Sequence, residues 1–143
     1  MEKGLSGGAK EVDEKMNEPQ VELLELIANE IEKGCSLSAS LDELPPDGGL
    51  YAEWSAGYVE SLYYNKKAIR IIPLLILTKS IDQKKCLNDL CKICNYLHSL
   101  KQYPQGKNVA WKDATTATEP NKVGRQEDGQ YIYSCVIDIK CYF

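Results

Sequence analysis

Cys91, Cys94 and His98 have the residue types and the spacing that a metal site could use. Steps of three and four place the two thiols and the imidazole on one face of a predicted helix, where they could converge on zinc. A structural zinc ion needs four ligands, and the spacing does not select Cys135 or any other residue as the fourth. The same positions belong to the apolar face of the helix, so we favour core packing, with no metal and no cofactor.

The sequence carries no pattern typical of an enzyme. It has no phosphate-binding loop, no dinucleotide-binding glycine motif and no nucleophile elbow, and it has one histidine. Cys91 and Cys94 lie about three turns inside the predicted helix, whereas redox-active pairs normally occupy a helix N-terminus. The neighbouring carboxylates Glu127 and Asp128 are typical of a solvated turn. We therefore expect a protein that is not an enzyme.

Composition and charge argue against several further classes of protein. The chain has 143 residues, 43% hydrophobic and 27% charged, so it can bury a core and is not a wholly disordered or fibrous chain. Its net charge of −4 disfavours general binding to nucleic acid. The longest apolar stretch, residues 69–77, contains Arg70 and Pro73, and residues 1–20 lack a signal-peptide core. We expect no membrane contact, a cytoplasmic location and six reduced cysteines.

The first helix is predicted after an N-terminal tail. Residues 1–17 are rich in glycine and charge and are expected to be flexible, which leaves residues 18–143 as a single domain. Pro19 suits the first turn of the helix, and Gly34 suits the position just past its end. Its apolar positions are Val21, Leu24, Ile27, Ala28 and Ile31.

The second helix has the clearer periodicity. Ser80 is a good N-cap, and Gln83 would complete a capping box with it. The helix is expected to end near Lys101, before a proline and a glycine. Its predicted core face comprises Leu87, Leu90, Cys91, Cys94, Leu97 and His98.

Strands are predicted from alternation and from β-branched or aromatic residues, and loops from glycine and proline. The predicted strands are Tyr58–Tyr64 and Ala68–Thr78, joined as a hairpin, then Val109–Thr118 and Gln130–Tyr142. The segments predicted to be irregular or looped are Leu50–Gly57 and Glu119–Gly129. This order predicts an α+β domain, with a mainly antiparallel sheet of about four strands and two helices packed on one face.

Several short segments, in order, resemble a known family of phage proteins. They are Gly48–Tyr58 (GGLYAEWSAGY), Ile81–Gln83 (IDQ), Cys94–Leu97 (CNYL), Ala117–Asn121 (ATEPN) and Gln126–Ser134 (QEDGQYIYS). Together they resemble the "minor capsid protein" family of bacteriophages of Gram-positive hosts, a group of tail terminators. The resemblance covers about residues 45–143. The glycine-rich N-terminus and the cysteine-rich helix are not features of that family.

The resemblance implies a structural role in a virion tail or a phage-tail-like bacteriocin, assembled in the bacterial cytoplasm. Such proteins form a ring, usually a homo-hexamer, on the head-proximal end of the tail tube. The ring contacts the tail tube protein, ends its polymerisation and offers a joint to the head connector, the collar or the sheath. DNA would pass through its lumen in a full phage, in transient contact with it. The implied fold is α+β.

Two groups of residues are expected to form the subunit and tube contacts of such a ring. Tyr51, Glu53, Trp54 and Tyr58 would lie on one side of a subunit contact. The polar segment that begins at Glu119 would face the tube, the neighbour or the lumen, and its candidate residues are Glu119, Asn121, Arg125, Glu127 and Tyr131. A closed ring needs two different patches that meet, and these two groups would supply them.

Two other functions stay open on the sequence. The chain could be a small α+β adaptor that binds a soluble partner through the same aromatic residues. It could instead be another head-tail completion protein. The mass of the protein in solution, alone and with tube protein, separates a ring from an adaptor.

Overall fold

The computed structural model describes residues 17–143, so the tail predicted over residues 1–17 lies outside the described residues apart from Asn17. Within the described part, two helices and six strands follow one another along the chain. They are α1 (Pro19–Cys35), β1 (Ala39–Ser40), β2 (Gly49–Trp54), β3 (Tyr58–Leu62), β4 (Ala68–Ser80), α2 (Gln83–Ser99), β5 (Ala110–Arg125) and β6 (Tyr131–Tyr142). Both helices pack against the sheet, as the α+β prediction requires.

The described residues form a mixed sheet of six strands, so the prediction of about four was too low. The strand order is β1-β2-β4-β6-β5, and β3 also pairs with β4. β1 and β2 are parallel, and the other neighbours are antiparallel. β2 pairs with residues 74–79 of β4 and β3 pairs with residues 68–71, so these two strands follow each other along one edge of β4.

Pro73 lies in the gap between β2 and β3, where β4 has no strand partner on that side. The Ser55 N–H donates to the Pro73 carbonyl at 2.8 Å, so the backbone of Pro73 faces this gap. A proline within a strand requires an unpaired position of this kind, because it has no N–H to donate to a neighbouring strand. Gly57 lies in the same gap, where a Cβ would come within 2.6 Å of the Ile71 carbonyl oxygen. Glycine therefore lets the chain pass close to β4.

The prediction of an irregular segment over Leu50–Gly57 was wrong for most of its length. Residues 49–54 form β2, in which Leu50 and Ala52 are buried and alternate with more exposed side chains. The glycine and proline residues that suggested a loop end at Gly49, which has a φ of +143°. The strand therefore starts directly after the turn, and the turn residues obscured its alternation.

The loop predicted over Glu119–Gly129 was wrong for Glu119–Arg125 and confirmed for residues 126–129. β5 continues to Arg125, and the turn is confined to residues 126–130. β5 is an edge strand and pairs only with β6, so Pro120, which has no N–H, interrupts no hydrogen bonds to a second neighbouring strand. The register shifts around Pro120 and Gly124 accommodate both residues as bulges.

Gly34 belongs to α1 and does not follow its end. The helix continues to Cys35, and Ser36 closes it in the left-handed conformation with a φ of 59°. The ring of Tyr96 on α2 occupies the space of a side chain at position 34, with its nearest atom 2.0 Å from an added Cβ. The Tyr96 hydroxyl donates to Glu30 Oε2 at 2.5 Å. Gly34 thus lets the two helices approach closely.

The buried helix faces are rotated relative to the predicted ones. Val21 and Leu87 were predicted as core residues, but they are 46% and 42% exposed. α2 begins at Gln83 because Asp82 accepts a hydrogen bond from the Lys85 N–H at 3.2 Å, whereas Ser80 ends β4. The buried residues are Leu23, Ile27, Glu30, Ile31 and Cys35 in α1, and Cys86, Leu90, Ile93, Cys94 and Leu97 in α2.

Gly34→Ala is expected to lower the free energy of unfolding by about 1–3 kcal/mol, because the added methyl group must displace the Tyr96 ring. Urea unfolding followed by circular dichroism measures this. Gly124→Ala is the matched control, since a Cβ there meets no atom within 4 Å. Equal stability of the two variants would contradict the proposed packing role of Gly34.

Hydrogen bonding to the Glu30 carboxylate raises the pKa of Tyr96 from 10.0 to about 12. In the unfolded chain the phenol ionises near pH 10, while the folded protein keeps its proton. The stability from this contact is therefore complete below pH 10 and is lost as the pH rises to about 12. Tyr96→Phe should flatten that part of the pH profile of unfolding free energy, and an unchanged profile would contradict the contact.

Candidate interaction surfaces

The structure separates the three residues that the sequence grouped as a possible metal site. Cys94 is buried, Cys91 is only half-buried and His98 is exposed. Within residues 17–143, no group of three or more histidine, cysteine or acidic side chains is arranged to hold a metal ion. Cys91 and His98 also lie outside the core face of α2, which corrects the predicted apolar stripe.

Cys94 instead pairs with Cys135 on β6 inside the core. A hydrogen bond between the two thiols holds the pKa of Cys94 below its usual value and raises the pKa of Cys135. Burial raises the pKa of Cys141 to about 11. No disulfide is present among the described residues, which include all six cysteines. Cys94 and Cys135 therefore act as small apolar residues in the core.

The first predicted interface group occupies two faces of the sheet. Tyr51 and Glu53 pair with Leu77 and Leu75, on the face of the sheet that the helices do not cover. Trp54 lies on the opposite face, is half-buried against the core, and donates from Nε1 to the Gln20 carbonyl at 3.0 Å. This hydrogen bond connects β2 to the first turn of α1.

The second predicted interface group lies along the far edge of the sheet. Glu119, Asn121 and Arg125 belong to β5, Glu127 lies in the turn, and Tyr131 begins β6. Asn121 Nδ2 donates to the Glu119 carbonyl at 2.9 Å, and the Arg125 guanidinium lies 5.8 Å from the centre of the Tyr131 ring. β4 and β6 separate this group from β2 and β3. Apart from Tyr131, the two groups therefore lie on opposite sides of the β4–β6 pair.

The sheet face opposite the helices, called here the uncovered face, is apolar at its centre. Leu75 of β4 pairs with Val136 of β6, and both side chains are half-buried. Because side chains alternate along a strand, the core side chains of the same strands point to the helices. The central residues of the uncovered face are Pro73, Leu75, Leu77, Ile132 and Val136.

The β3–β4 hairpin is the most exposed apolar part of the described chain. It carries five of the nine large hydrophobic side chains that are exposed there, including a fully exposed Tyr64. The five, called here the hairpin patch, are Tyr58, Val59, Leu62, Tyr63 and Tyr64. Of these five, only Tyr58 was predicted as a ring-contact residue, because the alternation of side chains along a strand places half of them in the core. Exposed apolar side chains that gather at one end of a sheet are candidates for an interaction site.

The hairpin turn is fixed by several contacts. The Tyr63 N–H donates to the Lys67 carbonyl at 2.8 Å, and the Lys66 N–H donates to the Tyr63 carbonyl at 3.0 Å. Lys66 has a φ of 73°, which places Tyr64 at the tip of a three-residue loop. The Tyr63 ring meets Tyr142 edge to face at 5.8 Å between centroids. The exposed tip is therefore anchored to the sheet.

No protein-family model matches the chain, and no curated protein matches it. Among the described helices, none combines the length and the apolar character needed to span a bilayer. The function must therefore be inferred from the surfaces of the domain.

Burial predicts the order in which the thiols react. Cys91 is half-buried, whereas the five other cysteines are at most 4% exposed. Ellman's reagent should label Cys91 first and the others only as the protein opens, because buried thiols are neutral and inaccessible. Cys91→Ser should remove the fast phase, and Cys141→Ser should leave it. A fast phase that survives Cys91→Ser would contradict the assigned burial.

Proposed function

We propose that the chain is a structural protein of a phage tail or tail-like particle, which forms a ring on the head-proximal end of the tail tube. In this role it ends tube polymerisation and provides the joint to the head connector, collar or sheath. The resemblance of segments within residues 45–143 to tail terminators suggests the role. The exposed hairpin patch is the observation that carries it.

The hairpin patch supports association because its exposure is costly in a monomer. Leu62 is 69% exposed and Tyr58 is 61% exposed, on a strand that neither of the two described helices covers. Burying apolar surface stabilises a contact by roughly 25 cal/mol per Å². Five such side chains, three of them tyrosines, are a suitable centre for a protein interface.

The sheet edges support a ring rather than a two-fold dimer. β3 and β5 are both edge strands and lie on opposite sides of the β4–β6 pair. They differ in character, because β3 exposes Tyr58, Val59 and Leu62, whereas threonine and charged residues make up half of β5. Contacts between two different patches repeat in one direction and close into a ring when the rotation allows it.

The test measures mass and tube length together. Light scattering of the full chain should give a ring of about six subunits, alone or with tail tube protein. Electron microscopy should show tubes that are shorter and closed at one end when the chain is present during polymerisation.

A double variant, Val59→Ser with Leu62→Ser, should weaken the assembly and restore tube length while the monomer stays folded, because both side chains are more than half exposed. Val21→Ser on α1 is the matched control, since Val21 is also exposed but lies outside the hairpin patch. A monomer or dimer that leaves tube length unchanged would contradict the proposal and favour an adaptor.

A further inference from the structure

The end of the sheet opposite the hairpin patch contains a cavity of about 560 Å³, called here the end cavity. It lies between the turn before β2, the end of β4, the start of α2 and the β5–β6 turn. Leu37, Leu50 and Ile81 line it with apolar surface, and Ile81 is 76% exposed. Its volume lies within the range of about 300–1,000 Å³ that is typical of ligand clefts.

The end cavity has one acidic group in excess. Lys85 pairs with Asp89 at 2.8 Å, and the buried Lys79 pairs with Asp128 at 3.5 Å. Asp47 also lines the cavity and is exposed, and no basic side chain of the described residues lies within salt-bridge distance of it. The cavity is therefore suited to an apolar group that carries a positive charge beside it.

The tip of the β3–β4 hairpin has this chemistry. Tyr64 is fully exposed, and Lys66 and Lys67 follow it closely. Within residues 17–143, neither lysine has a carboxylate within salt-bridge distance. The turn is held by its own hydrogen bonds, so binding through Tyr64 would cost little conformational entropy.

The tip cannot reach the cavity of its own chain. β4 leads from the hairpin at Ala68 to the cavity at Ser80, a distance of about 40 Å for an extended strand of this length. The two features are thus exposed at opposite ends of one rigid strand. A contact between them must therefore join two copies. Each pair of copies then still has one free tip and one free cavity, to which further copies can bind.

We propose that Tyr64 of one copy inserts into the end cavity of the next copy, with Lys66 beside Asp47 of that neighbour. This contact is heterologous, so it propagates from copy to copy and can close a ring. It rests on the proposed ring and names its subunit contact. It depends on self-association of this chain and not on any action on a tail tube.

The experiment uses two full-length variants that each lack one half of the contact. The tip variant combines Tyr64→Ser with Lys66→Glu, and the cavity variant combines Asp47→Lys with Ile81→Ser. All four side chains are exposed, so both variants should unfold in urea like the natural chain. Val21→Ser with Lys101→Glu makes the same kinds of change at exposed positions outside both the tip and the cavity lining and is the control.

Light scattering should find each variant as a 16.1-kDa monomer and the control as large as the natural chain. An equimolar mixture of the two variants should form a dimer of twice that mass and nothing larger, because one intact tip meets one intact cavity. Loss of the tyrosine anchor should weaken association about thirtyfold or more, as for other aromatic hot spots.

Charge exchange gives an independent measurement. Lys66→Glu alone and Asp47→Lys alone should each weaken association, and the chain that carries both should recover part of it, because the charges then attract again. Additive losses without recovery would overturn the pairing of these two residues.

Two further outcomes separate this contact from the proposed function. The proposed contact is wrong if the variants assemble like the natural chain. It is also wrong if the natural chain stays monomeric up to about 1 mM, because a contact with a binding free energy of about 4 kcal/mol has a Kd near that concentration. If the mixed variants form the dimer but the natural ring leaves tube length unchanged, the contact stands and the tail function is wrong.

Discussion

The pairing of β4 with β6 is the constraint on which the rest of the structure depends. The two strands pair without a register shift from Ile69 with Tyr142 to Ser80 with Tyr131. Because the period of a strand is two, this register places Leu74 and Ile137 on the helix side and Leu75 and Val136 on the uncovered face. A slip of one residue would exchange the two faces and remove the surface on which both helices pack.

The same pair of strands determines where the domain can meet other molecules. β4 is long enough to carry the hairpin at its start and the end cavity at its end, with the helix-covered core between them. The two helices of residues 17–143 pack on one face of the sheet, and Tyr58, Tyr63 and Tyr64 of the hairpin are exposed. A rigid element with different surfaces at its two ends is suited to repeated assembly, which is how the proposed ring would form.

The cysteines illustrate how tertiary position decides chemistry. Cys91 and Cys94 lie three positions apart on one helix, yet of the two only Cys94 is buried against the sheet, beside Cys135. The spacing made a shared site possible, but the rotation of α2 sets which side chains enter the core. His98 and Leu87 stay exposed for the same reason.

The sequence by itself determined the two helices, the β3–β4 hairpin, the long last strand and the α+β class, because these depend on local periodicity and turn chemistry. The tertiary structure decided that residues 49–54 and 119–125 are strands, since Gly49 only starts its strand and since Pro120 and Gly124 are accommodated by bulges in an edge strand. It also decided the role of Gly34, which depends on Tyr96 in a distant helix. The end cavity brings together residues 37–38, 47–50, 78–89 and 128–130, which no local pattern in the sequence connects.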